Sequence, residues 1–303
     1  MQKYDCLGIG LAPLDYLSLV AQFPKPGLKL EVLEGVTAGG GPVPTALATL
    51  SRLGMRTAFV GKLGNDAAGR LCLDAFRQAG ISRYYISVAA NRITPTATVL
   101  VESDTGRRTV LLARGKGCRL GVSDIDAKII SRTRALHLDG RDLSACRKAA
   151  KLAHKLGVIT FLDVGSLRNR VDSLFSLIDH LVVAQEYARQ FTGARKVERA
   201  IKRLWQPPMS SLVVTMGQQG AVGYDGNHLI RQRAYRVKVK DTTGAGDTYH
   251  GAYIYGVLTG RSIAETMRFA AAVAALNCRE LGGRRGLPTL VEVDRLIRKG
   301  RLV

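Results

Sequence analysis

Short apolar runs rich in β-branched residues recur along this chain, at Cys6 to Ala12, Thr57 to Gly61, Ala135 to Asp139, Val158 to Asp163, His180 to Ala184 and Leu212 to Thr215. Continuous runs of this length read as strands buried on both faces. Between most of them the apolar spacing changes to a helical period, as at Val43, Leu47, Leu50 and Leu53, and again at Ala145, Ala149, Leu152, Ala153 and Leu156. Strand and helix in alternation predict an α/β fold with a mostly parallel central sheet and helices on both faces.

Two stretches break this rhythm. From about Leu14 to Ala38, and from about Thr94 to Leu112, apolar and polar positions alternate among charges and turns, which suits antiparallel strands outside the main sheet. A small β lid is expected there. Its pieces are far apart in sequence, so the segments at about 14–38 and 94–112 are expected as excursions from one domain spanning 1–303, not as a second domain. Hydrophobic residues make up 46% of the 303 positions, ample material for the core of a domain this large.

Charge bounds the partners. The 45 Lys and Arg against 24 Asp and Glu leave a formal net charge of +21, a field that attracts nucleic acid and acidic metabolites alike. The basic residues are spread along the chain, with short pairs such as Arg107-Arg108 and Arg284-Arg285 but no run of five or six. Neither zinc-finger spacing nor an RNP-like aromatic motif accompanies them, so no nucleic-acid partner is expected. The cysteines (Cys6, Cys72, Cys118, Cys146, Cys278) lack paired spacing and read as reduced thiols. The amino terminus carries no signal-peptide pattern, and no apolar run approaches the roughly 18 residues needed to span a bilayer, so a cytoplasmic location without membrane contact is expected.

Chemistry concentrates between Val237 and Gly260. A β-like run ends in Asp241-Thr242-Thr243-Gly244-Ala245-Gly246-Asp247-Thr248, after which Tyr249, Ala252, Tyr253 and Val257 keep a helical period. A glycine-rich turn at a helix amino terminus presents backbone N–H groups at the positive end of the helix dipole, a natural seat for phosphate. Asp247, in the first turn, could accept the proton of an attacking hydroxyl or could simply cap the helix; local pattern leaves both readings open.

This segment, followed by an aromatic residue and Gly251-Ala252, resembles the second signature of the ribokinase, or PfkB, family of sugar kinases. The first signature is matched by Gly39-Gly40-Gly41-Pro42, a helix ending at Arg52-Leu53-Gly54, then Phe59 to Asp66 and Gly69. Weaker similarity extends over nearly the whole chain. The resemblance implies a ribokinase-like fold and ATP-dependent phosphorylation of a primary hydroxyl of a sugar or sugar derivative, with Mg²⁺ accompanying ATP. A nucleoside kinase on the same fold and a weakly active sugar-binding regulatory protein are the alternatives. Carried over by position, it makes Asp247 the general base and Gly244, Ala245 and Gly246 the anion hole. Asp15, Gly40, Gly41 and Thr45 fall at the sugar site, and Thr215, Gly217 and Gly220 at the nucleotide site. Asp241 and Thr243 stand where many members hold a monovalent cation, with K⁺ the candidate. Family lids often pair between subunits, so a homodimer through the lid is a further expectation.

Departures fall at the acceptor and metal ends. Thr45 stands where many members have Asn, and the pattern is closest to a subgroup resembling sulfofructose kinase, with ketohexokinase more distant. In that subgroup Lys29 and Arg141 would meet an anionic end of a ketose, whereas Leu112 replaces a polar contact. Ala184 and Tyr187 occupy the positions of the family's Asn-x-x-Glu magnesium motif, with Glu186 one place off, so no ligands for Mg²⁺ are assigned.

Overall fold

The computed structural model describes residues 3–27, 29–167 and 170–303. Among them the strands are β1 (Tyr4–Ile9), β2 (Leu14–Val20), β3 (Glu34–Gly39), β4 (Thr57–Gly64), β5 (Ile81–Ala89), β6 (Thr96–Glu102), β7 (Arg108–Ala113), β8 (Thr133–Leu138), β9 (Ile159–Val164), β10 (His180–Ala184), β11 (Ser211–Thr215), β12 (Ala221–Tyr224) and β13 (Leu229–Gln232). The α-helices are α1 (Pro42–Arg52), α2 (Ala67–Gln78), α3 (Ala127–Ile130), α4 (Leu143–Lys155), α5 (Gln185–Thr192), α6 (Val197–Leu204), α7 (Ala245–Leu258), α8 (Ile263–Asn277) and α9 (Leu290–Lys299).

Nine strands form the main sheet in the order β13-β12-β11-β10-β9-β8-β1-β4-β5. Pairing is parallel from β11 through β5 and antiparallel at the β12 and β13 edge. Successive side chains of a strand point to opposite faces, and the core divides accordingly. Ala58 and Val60 of β4 belong to the core layer that contains buried residues of α4, α5 and α6, whereas Phe59 between them belongs to the layer that contains those of α1, α2, α7 and α8. The layered α/β architecture expected from the sequence is thus present.

Helix boundaries follow local chemistry. Pro42 opens α1, where its missing N–H costs nothing. Asp66 caps α2 by accepting from Gly69 N at 2.7 Å, and capping boxes open α8 (Ser262 with Glu265) and α9 (Thr289 with Glu292).

The two alternating stretches come together as a separate four-stranded sheet, β3-β2-β6-β7. Strands β2 and β6 pair in parallel although they come from different stretches, and each is flanked by an antiparallel partner. Leu17, Leu19, Ala97, Val99 and Val101 make the lid's own core, closed from below by Leu281.

One expectation fails. The run before Asp241 is not a strand: Lys240 N and Asp241 N donate to Cys278 O (2.8 and 3.2 Å), and Thr242 N donates to Gly106 O at 3.3 Å. Its backbone is satisfied by the end of α8 and by a lid turn instead of a sheet neighbour. No helix among the described residues is long and apolar enough to cross a membrane.

Candidate active site

Ligands of open α/β sheets bind beyond the carboxyl ends of the strands. Asp139 follows β8, Asp163 lies near the end of β9, and Thr215 ends β11, so all three reach that rim. Helix α7 points its amino terminus at the same place.

Gly244 is the residue before α7 and has φ of +72°; a Cβ there would stand 2.7 Å from Gly283 Cα. Only glycine fits that turn without strain. Ala245 N donates to Thr242 O at 3.2 Å and Thr248 N to Gly244 O at 2.8 Å. Between them, the N–H groups of Gly246 and Asp247 reach no acceptor among the described residues. Two free donors at the positive end of a 14-residue helix form a seat for an anion.

The partly buried Asp247 carboxyl lies beside these donors. Burial, reinforced by the nearby Asp163 carboxylate, raises its pKa above the usual range, against the opposing pull of His250, Arg108 and Arg284. His250 is buried, its ring held between Gly246 O (Nδ1, 2.7 Å) and Val182 O (Nε2, 3.1 Å), with Asp163 Oδ1 at 3.5 Å from Nε2. It therefore supports the start of α7 and the end of β9 and does not face solvent.

Asp15 lies on β2, opposite Ala38 and Ala97, on the lid face that also carries Leu17 and Val99. A Cβ on Gly40 would stand 2.1 Å from both Asp15 carboxylate oxygens, so glycine alone permits this approach. Gly41, with φ of +92°, would likewise drive a Cβ to 2.2 Å from Leu11 O. Asp15 Oδ1 is buried without a hydrogen-bond partner, and burial, with Asp247 adding to it and Arg284 opposing, raises this carboxyl to about 7. Thr45, on α1, receives a hydrogen bond from Arg284 Nε at 3.2 Å, and Arg284 Nη2 donates to Gly40 O at 2.7 Å.

Asp241 is 1% exposed; Oδ1 accepts from Thr243 N and Oδ2 from Gly282 N, each at 2.7 Å. The carboxylate thus ties the 241–244 turn to the loop after α8. Thr243 Oγ1 is buried without a hydrogen-bond partner. At the far end of the rim, Thr215 Oγ1 donates to Val183 O at 3.3 Å, and Gly217 has open space in front of it. Gly220 is fixed by packing, since a Cβ would meet Gln232 O at 2.0 Å.

Other expected acceptor contacts are not assembled. Arg141 Nε lies 3.6 Å from Asp139 Oδ2, in an ion pair at the floor of the rim. Lys29 is exposed on the β2–β3 connection and makes no ion pair with a described residue. Leu112 pairs opposite Ala97, in the row of Asp15, and packs on the lid core. Tyr187 is fully buried, while the exposed Glu186 accepts from Arg189 (3.1 Å) and Gln190 (2.6 Å). No group of three or more potential metal ligands exists among the described residues.

Sequence reasoning missed Asp163, Arg108 and Arg284. The first carried a readable signal, an acidic residue closing a buried parallel strand. The two arginines carried none, because contacts between remote segments bring them in.

Known proteins similar to this chain include carbohydrate kinases. Residues 3–290 match the family described as pfkB family carbohydrate kinase. The ribokinase of Haemophilus influenzae is 28% identical over 293 residues, covering 94% of this chain and 95% of that protein. The ketohexokinase of Mus musculus is 26% identical, covering 92% and 97%. The structure of Arabidopsis thaliana ribokinase complexed with ribose and ATP superposes with a TM-score of 0.85 at 28% identity, covering 97% of this chain and 99% of that one.

Proposed function

The chain belongs to the pfkB family of carbohydrate kinases, phosphotransferases acting on sugar hydroxyls, and on that premise we propose a specific reaction and site. ATP donates its γ-phosphoryl group to a primary hydroxyl of a sugar or sugar derivative, an anionic ketose among the candidates, and Asp247 is the general base. The observation that carries this reading is the pair of unsatisfied N–H groups of Gly246 and Asp247, set beside the Asp247 carboxyl. Phosphoryl transfer needs such donors, because charge on the transferring group must be held while the entering and leaving oxygens align.

In this reading Asp15 accepts a hydrogen bond from a sugar hydroxyl through its unpartnered Oδ1, and Gly40 and Gly41 admit the ligand to the backbone. The primary hydroxyl oxygen attacks the γ-phosphorus as its proton passes to Asp247, and ADP leaves. Thr215, Gly217 and Gly220 support the nucleotide. The lid keeps water from competing for the phosphoryl group.

The family's magnesium-organising positions do not fit that role here, since Tyr187 is buried and Glu186 is turned to Arg189. Mg²⁺ would be held mainly by the ATP phosphates, where it would offset their charge. A monovalent cation such as K⁺ does fit at Asp241, a buried carboxylate with no basic ion-pair partner among the described residues. It would balance that charge and brace the turn before α7. The lid's outer row, with Tyr16 and Leu111 exposed at 44% and 61%, supports pairing of two copies through the lid.

The test is ADP release across neutral, phosphorylated and sulfonated ketoses, aldoses and nucleosides, with the ester position read by phosphorus NMR. A primary phosphate ester of a sugar is expected. Turnover of nucleosides alone would move the reading to a nucleoside kinase, and sugar binding without turnover to a regulatory protein.

A further inference from the structure

Arg284 belongs to none of the sequence motifs, yet it reaches the candidate site from the loop between α8 and α9. Its guanidinium spans two bonds on the opposite wall, to Gly40 O and Thr45 Oγ1. Space for it is provided on both sides. Thr45 is short, and a Cβ on Gly39 would stand 3.0 Å from Nη1 and 2.7 Å from Ala75 Cβ.

The charged and titratable groups facing Arg284 are Asp15, Cys72 and Asp247. Those facing Asp247 are Asp163, His250, Arg108 and Arg284, and those facing Asp15 are Arg284 and Asp247. Arg284 is thus the cation common to both carboxylates. Burial lowers its pKa to about 10, with the three neighbouring groups drawing it back up, so it stays cationic at neutral pH. Two neighbouring acids that are largely buried each favour the protonated form, and a countercharge beside them opposes that shift. A protonated Asp247 could not accept the hydroxyl proton.

We propose that Arg284 is a positioning residue for phosphoryl transfer. It fixes the Gly40–Thr45 entrance to α1 and brings a positive charge to the wall near Asp15 and Asp247, which offsets part of the burial and favours the ionised form of both carboxyls. This rests on the kinase reading above, but its physical core can be measured without turnover.

The test compares wild type with Arg284→Gln, which keeps hydrogen-bonding capacity without charge, and Arg284→Lys, which keeps charge without the planar fork. Carbon-13 carboxyl titration of Asp15 and Asp247 in the ligand-free proteins is the first readout. Arg284→Gln is expected to move both titrations upward, by about one to three pH units, and Arg284→Lys to restore most of the shift. The acid limb of kcat/KM with the best acceptor should move the same way. If Arg284→Gln does not fold, Arg284→Lys still decides: its charge should hold both titrations near their wild-type positions while the acceptor KM rises with the lost fork. Unmoved titrations in Arg284→Gln, or titrations in Arg284→Lys shifted upward despite the retained charge, would overturn the proposal. Absence of sugar-dependent ADP release in wild type would defeat the kinase reading alone, since the titrations would still decide the role of Arg284.

Discussion

Asp15 and Asp247 come from positions more than two hundred residues apart and each is pushed toward its neutral form, for related reasons. For Asp15 the consequence reaches stability. Its carboxyl is raised from the ordinary 3.8 to about 7 by burial, so between those values the folded chain holds a proton that the unfolded chain releases. Stability contributed by this group is therefore complete below about pH 4 and is lost as pH rises through 7. In denaturant titrations of the ligand-free protein, Asp15→Asn is expected to gain on wild type between pH 5 and pH 8. Parallel stability curves would show that Asp15 is not buried as its surroundings require. At this scale the sequence is legible where the chemistry is local. The glycines and Asp247 lie within four positions of one another, and the turn they form is dictated by neighbours. Arg284 was illegible because its partner Thr45 lies 239 residues away. The seat of His250 is legible only in part, since one ring nitrogen meets the local Gly246 O and the other the remote Val182 O.

Among elements, the decisive contact is between α1, which carries Thr45, and α7, which carries Asp247. Gly251 lets them touch: a Cβ there would stand 2.4 Å from Ala46 O and 2.7 Å from Thr49 Cβ. Gly251→Ala is expected to cost about 1–3 kcal/mol in chemical denaturation through overpacking. A neutral or stabilising result would mean that the two helices have slack. The lid is fastened to the same region. Arg108 Nη1 donates to Thr242 O (3.0 Å) and Thr242 Oγ1 (3.2 Å), while Glu34 joins Lys240 at 2.8 Å and Arg285 at 3.1 Å. Arg108→Met should speed hydrogen exchange across β6 and β7 and raise the acceptor KM; unchanged exchange would dismiss the latch. Alternation revealed both lid segments, but not the parallel β2–β6 pairing, because register between distant strands depends on packing that a sequence does not display. Strand β5 was overlooked since Arg83, Tyr84 and Tyr85 suit an exposed edge, and Val237 to Lys240 was mistaken for a strand because apolar–basic alternation mimics one.

Across the whole molecule, the fold was legible because alternating strands and helices leave few other ways to bury both faces of a sheet. The net charge of +21 was not resolved by it, although part of the basic complement, Arg108, Arg141 and Arg284, is drawn to the rim where phosphate and carboxylates would meet. Everything proposed for catalysis converges on one carboxyl at the start of α7. The direct measurement is steady-state ADP release by wild type and Asp247→Asn with the best acceptor. Loss of kcat by about 10²- to 10⁴-fold, with the KM for ATP little changed, is expected of a general base. Equal turnover in the two proteins would contradict the account.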